Sequence, residues 1–191
     1  MAKKRVPKYM LAPVQKQTVV SKSGNPEKVV SFDIPVLKDG TIQFNDNGEL
    51  IRENVTEIYT WNQDHRKTLK ANKGCWVISE ELEEIMFEGC RCNGLFKVWK
   101  GEKHMGWNVL DDNGSALVIG KGIDNEGNHI DVRVGKFVEG NKGRWHGYPI
   151  DYRHINEDII CDNALFYWMR LNVIDKSEID DIRRKEDSSL L

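Results

Sequence analysis

Long apolar runs are missing from this sequence. No stretch approaches the roughly 18 consecutive apolar residues of a membrane-spanning helix. The opening MAKKRVPKYMLAPV has a charged head, but its apolar content is confined to residues 9–14 and is interrupted by Pro13. A secretory signal needs an apolar segment of roughly 7–15 residues at that place. The expectation is a soluble, cytoplasmic protein with no membrane partner.

Cysteine is scarce as well. Four cysteines in 191 residues (Cys75, Cys90, Cys92 and Cys161) do not make a disulfide scaffold. Cys90 and Cys92 form a C-x-C rather than the C-x-x-C of zinc knuckles, and no second closely spaced pair answers them. Ordinary reduced thiols are expected rather than a metal site built from Cys75, Cys90, Cys92 and a distant histidine. Neither a metal nor a cofactor is expected.

Catalytic signatures are missing too: there is no Walker loop, GxGxxG, HExxH or GxSxG. Gly120-Lys121-Gly122 echoes a phosphate loop but lacks the Ser/Thr and the helix that should follow. The segment 124–127 has the composition of a calcium loop without its glycine offset or its terminal bidentate glutamate, which excludes an EF-hand. Bulk charge is also lacking, since a net charge of −2 selects neither nucleic acid nor membrane.

What is present is globular. The chain is 39% hydrophobic and 30% charged, with six Trp, six Phe and five Tyr, enough large apolar side chains to fill one core. Charge is unevenly distributed: residues 1–28 hold Lys3, Lys4, Arg5, Lys8, Lys16, Lys22 and Lys28 against Glu27 alone. Residues 1–26 show no apolar periodicity and contain three prolines, so they read as a flexible basic arm with one short extended piece at 18–20. In such an arm Lys3, Lys4, Arg5 and Lys8 are the candidates for contact with nucleic acid or another partner.

Residues 27–188 then read as a single α+β domain, β-rich over 27–154 and helical over 157–186. A strand is expected over 28–34, closed by Pro35, followed by a hairpin around the Asn47-Gly48 turn. Alternation does not decide whether 55–61 is a strand or a short helix, and 62–74 reads as a polar loop. Ser79 caps a helix over 80–88, with Leu82, Ile85 and Met86 as its inward stripe and Gly89 as its stop. Strand-like runs at 95–99, 106–110, 116–120 and 128–137, joined by short turn-rich links, predict an antiparallel β-meander. A helix over about 162–170 and another started by the Asp175/Glu178 capping box predict a C-terminal αα-hairpin.

Two segments concentrate chemistry. In the run 128–137, His129, Asp131 and Arg133 share one face, a set able to bind an anionic or hydrogen-bonding ligand, or else simply a solvated face. Residues 143–154 hold Arg144, Trp145, His146, Tyr148, Asp151, Tyr152, Arg153 and His154, punctuated by Gly143, Gly147 and Pro149. This stretch reads as a rigid functional loop. His146 and His154 are its candidate acid and base, with Asp151 orienting a histidine. Arg144 and Arg153 suit a phosphate or carboxylate clamp. Trp145, Tyr148 and Tyr152 suit stacking, unless Trp145 and Tyr148 fill core instead.

Three functions are compatible with this pattern. The first is a non-enzymatic binding module for a protein or an anionic small molecule, using a sheet surface and the 143–154 loop. The second is a small metal-independent hydrolase of phosphodiesters or nucleotides. The third is a nucleic-acid binder that uses the basic arm.

Overall fold

In β2 (Pro26–Pro35), Val30, Phe32 and Ile34 point one way and are buried, while Ser31 and Asp33 point the other. That period of two is what a half-buried strand requires. The computed structural model describes residues 15–20, 26–66, 74–101, 103–124, 126–141, 143–154 and 159–191. Those residues form a mixed fold with one large curled sheet and three helices. Residues 1–14 and 21–25 of the expected arm lie outside the description, but 15–20 form β1 (Gln15–Val20), antiparallel to β2. The extended piece is therefore longer than expected and belongs to the sheet.

The remaining strands are β3 (Leu37–Lys38), β4 (Thr41–Ile42), β5 (Arg52–Thr60), β6 (Cys75–Trp76), β7 (Phe96–Trp99), β8 (Lys103–Val109), β9 (Gly120–Ile123), β10 (His129–Val132), β11 (Val134–Glu139) and β12 (Arg144–Ile150). Seven of the twelve strands of the described residues form a sheet in the order β1-β2-β5-β12-β11-β8-β7. All its pairings are antiparallel except β5 with β12, where Ile58 and Tyr59 lie parallel to Arg144 and Trp145. A small sheet β10-β9-β6 and a ribbon β3-β4 complete the β structure. The Asn45–Gly48 turn forms, with Gly48 N donating to Asn45 O, but the hairpin across it is a single bridge between Phe44 and Leu50.

Two sequence expectations are corrected here. The meander is interrupted, because β8 pairs in the large sheet with β11, while the run at 116–120 leads into β9 of the small sheet. The run 128–137 is accordingly two strands, broken at Arg133. Val132 is buried on β10 and Val134 on β11, so an unbroken alternation spans a change of sheet. Residues 144–150 are a strand inside the large sheet and not a loop. Pro149 is tolerated because β5 has already ended on that side of β12, where the indole of Trp76 donates to Gly147 O instead of a neighbouring strand.

Helix α1 (Glu80–Cys92) lies against one face of the large sheet. Ser79 caps it as expected, its hydroxyl accepting from Leu82 N. Gly89, however, is inside the helix, and the chain leaves α1 only at Gly94, whose φ of 69° needs a glycine. The inward stripe is Glu83, Met86, Phe87 and Cys90, all fully buried, while Leu82 and Ile85 are half-buried. An acidic residue takes an apolar position because the sheet provides a partner: Tyr59 donates to Glu83 at 2.5 Å, and Arg66 pairs with its other oxygen. Burial outweighs both partners and raises the Glu83 carboxyl from 4.5 to about 7. Beside it, Arg91 forks onto Glu57 (2.5–3.1 Å) between the rings of Phe96 and Trp145, and Lys28 reaches Glu84 at 2.7 Å.

Helices α2 (Asp162–Arg170) and α3 (Lys176–Arg184) follow β12. Asp175 and Glu178 form the expected reciprocal cap, and Ile179 and Ile182 are buried. Arg183 of α3 pairs with Asp162 of α2 at 2.7 Å. One continuous cluster of buried residues links α1, α2, α3 and the large sheet. No helix among the described residues is long and apolar enough to cross a membrane.

Candidate functional site

The β9–β10 hairpin is tightened by its own turn. Asp124 accepts from Glu126 N and Asn128 N at 2.9 and 2.8 Å, and its hydrogen bonds to Asn128 hold its carboxyl below the usual range. β10 pairs with β9 on one side only. Asn128 O accepts from Asp124 N, and Val132 O from Ile119 N, so the even-numbered residues turn their backbone toward β9. His129 and Asp131 therefore direct their N–H and C=O groups outward, and no strand among the described residues pairs with that edge.

A cleft of about 400 Å³ is lined by Ile130 and Asp131 of β10 together with Arg133, Arg153 and Leu191. That volume falls in the range of small-ligand sites. Arg133 sits in the step from β10 to β11, with its Nε donating to Ala116 O at 3.1 Å. Its Nη1 is shielded from solvent and has no hydrogen-bond partner among the described residues. Arg153, in the 3-10 turn after β12, is differently placed. It forks onto buried Asp151 at 2.7–3.2 Å and reaches Asp187 at 2.7 Å. Asp131 pairs with Lys121 across the hairpin. Arg133 is thus the cleft guanidinium with no carboxylate beside it among the described residues.

Of the residues singled out in the sequence, the fold brings Asp131, Arg133 and Arg153 together, with His129 exposed farther along the same edge. Asp151 holds Arg153 in place. Tyr152 is buried rather than available for stacking, and its hydroxyl donates to Glu186 O at 2.7 Å and lies 2.9 Å from Ser188 Oγ. It thereby anchors the segment that carries Leu191 into the cleft. Leu191 had no sequence signal, because only this long-range anchor gives it a role.

The other candidates are elsewhere. Arg144 pairs with Glu27 at 2.5 Å on the far end of β12. Trp145 is fully buried, 5.4 Å from the Phe87 ring, so the ligand-stacking role is replaced by a core role. His146 and Tyr148 are half-buried on the face of β12 turned away from α1. Tyr148 stacks on His65 at 5.2 Å, His146 lies 6.2 Å from Tyr148, and the Lys136 ammonium lies 5.4 Å from the Tyr148 ring. Burial, then the neighbouring His65 and Lys136, hold His146 below its ordinary 6.5, so its imidazole is neutral at pH 7. His65, overlooked within the polar 62–74 stretch, is fixed by its Nδ1–H donating to Gly74 O at 2.9 Å. The side chain of His154, and Lys3, Lys4, Arg5 and Lys8, lie outside the described residues.

Burial raises the Cys90 thiol and lifts Cys92 and Cys161 to about 11, so these unbound thiols are protonated at neutral pH. Among the described residues no group of three or more His, Cys, Asp or Glu is arranged to hold a metal ion. No family model matches the chain, and neither a curated protein nor a solved structure matches it.

Proposed function

We propose that the protein is a binding module that receives the anionic group of a ligand in the cleft between Arg133 and Arg153. One observation carries this reading: the partly buried Arg133 guanidinium lines the cleft with its Nε held by Ala116 O and with no ion-pair partner among the described residues. Such a group is expensive to keep unless something completes it, and a carboxylate or phosphate matches its planar fork. Arg153 is already neutralised by Asp151 and Asp187 and supplies a rigid second wall.

The test is a titration of acetate and of inorganic phosphate, followed by NMR at the Arg133 side chain and at residues 130–133. Saturable shifts are expected in the wild type and none in Arg133→Met. Removing an uncompensated cation also raises the melting temperature of the unliganded variant. Absence of any saturable shift up to 100 mM anion, with the Met variant no more stable than wild type, refutes the reading.

A second reading rests on the neutral His146 beside His65, Lys136 and Tyr148. In it, His146 accepts a proton during metal-independent cleavage of a phosphodiester, with His65 in the partner role first considered for His154. His146→Ala then abolishes turnover of a dinucleotide while leaving the melting temperature within a few degrees. A wild-type protein with no turnover removes this reading.

A further inference from the structure

Two residues of β10, Ile130 and Asp131, line the cleft. β10 is an edge strand, and by the pairing phase above, His129 and Asp131 each present an outward donor and an outward acceptor. These two residues lie about 7 Å apart along the strand. Open edges invite another strand, and the charged pair formed by Lys121 and Asp131 beside this one disfavours indiscriminate apolar pairing. The edge is also short. After Val132 the chain steps through Arg133 into β11, which is hydrogen-bonded on both sides, to β12 and to β8.

From these features, and resting on the reading of the cleft as an anion site, we infer that the ligand is the carboxyl terminus of an extended peptide from another protein. The peptide adds to the β10 edge, parallel to it, and delivers its terminal carboxylate to Arg133. Three observations select this occupant. The outward backbone groups of His129 and Asp131 match a peptide main chain, which a small anion leaves unused. The edge ends at Arg133, so a chain continuing past that point would leave its amides unpaired against a closed sheet, whereas a chain that terminates there places an anion beside a cleft guanidinium with no ion-pair partner among the described residues. Ile130 and Leu191 give the cleft an apolar lining for the last side chain of the peptide. Asp131 is already paired with Lys121, so its carboxylate is not free to repel the incoming terminus.

The experiment compares acetyl-Ala-Val-Ala-Val bearing a free carboxylate, its C-terminal amide and acetate on the full chain, by NMR titration and amide hydrogen exchange. The free acid is expected to bind at least about tenfold more tightly than the amide, the margin of one charge-assisted hydrogen bond. In the saturated complex the amides of His129 and Asp131 exchange at least about tenfold more slowly. Arg133→Gln, shown to be folded by its own spectrum, binds acid and amide equally. Equal binding of the two peptides to the wild type, or binding without slowed exchange at His129 and Asp131, overturns the inference. If acetate shifts Arg133 while the peptide acid binds no better than acetate, strand addition is refuted and the anion site stands. If neither probe shifts Arg133, the anion site fails too.

Discussion

Replacing Glu83 by glutamine separates two opposing forces under α1. The folded state keeps the Glu83 proton up to about pH 7, whereas the unfolded chain releases it near 4.5. Between those values the folded state holds the extra proton, so stability falls as pH rises, by about 1.4 kcal/mol per unit. The Glu83 contribution is therefore complete below pH 4.5 and lost once the pH has passed 7, about 3 kcal/mol in all. His146, held below its ordinary value, has the opposite sign: its neutral folded form makes stability rise with pH up to about 6.5 and level off above it. The wild-type profile is thus a composite, and the comparison with Glu83→Gln, which keeps a neutral side chain at every pH, isolates the carboxyl. Urea denaturation at half-unit steps from pH 4.5 to 8 is the assay. The wild type is expected to lose about 3 kcal/mol relative to the variant across that range. Parallel curves refute the argument. That outcome means that Arg66 and Tyr59 hold the carboxylate ionised and that their two hydrogen bonds outweigh desolvation, since the wild type would then gain on the variant only below pH 4.5.

The Arg91–Glu57 pair is buried on both sides, so Arg91→Met alone strands a carboxylate and lowers stability by about 3–5 kcal/mol, whereas adding Glu57→Leu recovers most of the loss. A double-mutant cycle in urea measures this. Trp145→Ala lowers stability by about 3–5 kcal/mol, but acetate binding by the molecules that remain folded is unchanged, because the indole is core and not cleft. Asp175→Ala removes the side-chain half of the reciprocal cap on α3, leaving only the backbone N–H of residue 175 donating to Glu178, and lowers the melting temperature by a few degrees, and Asp175→Asn retains most of the wild-type value. Calorimetry distinguishes the two variants.

Features set by neighbours along the chain could be read in advance. Ser79, and Asp175 with Glu178, announce their helices because capping is chemistry within four residues. The alternation in β2 is equally plain. The inward stripe of α1 was misread because burial of Glu83 depends on Tyr59 and Arg66, which only the folded sheet brings beneath the helix. The break at Arg133 was invisible because Val132 and Val134 are both buried, though in different sheets. Trp145 and Tyr148 look like loop aromatics until β5 and β11 are found on either side of β12. Asp131, Arg133 and Arg153 were recognisable as ligand-binding types. Their meeting in one cleft was not, because Arg153 arrives on the turn that follows a strand of the other sheet.

The short parallel contact between β5 and β12 also governs assembly. It is the seam where β1, β2 and β5, from the first third of the chain, join β7, β8, β11 and β12 from the middle and later parts. A ribosome must therefore release nearly the whole of the sheet-forming sequence before the early strands find their permanent neighbour. Until then β5 has a bare flank, and closure waits on a long loop. Nascent chains halted before Arg144 should accordingly engage holdase chaperones, and full-length chains should shed them once the seam shuts.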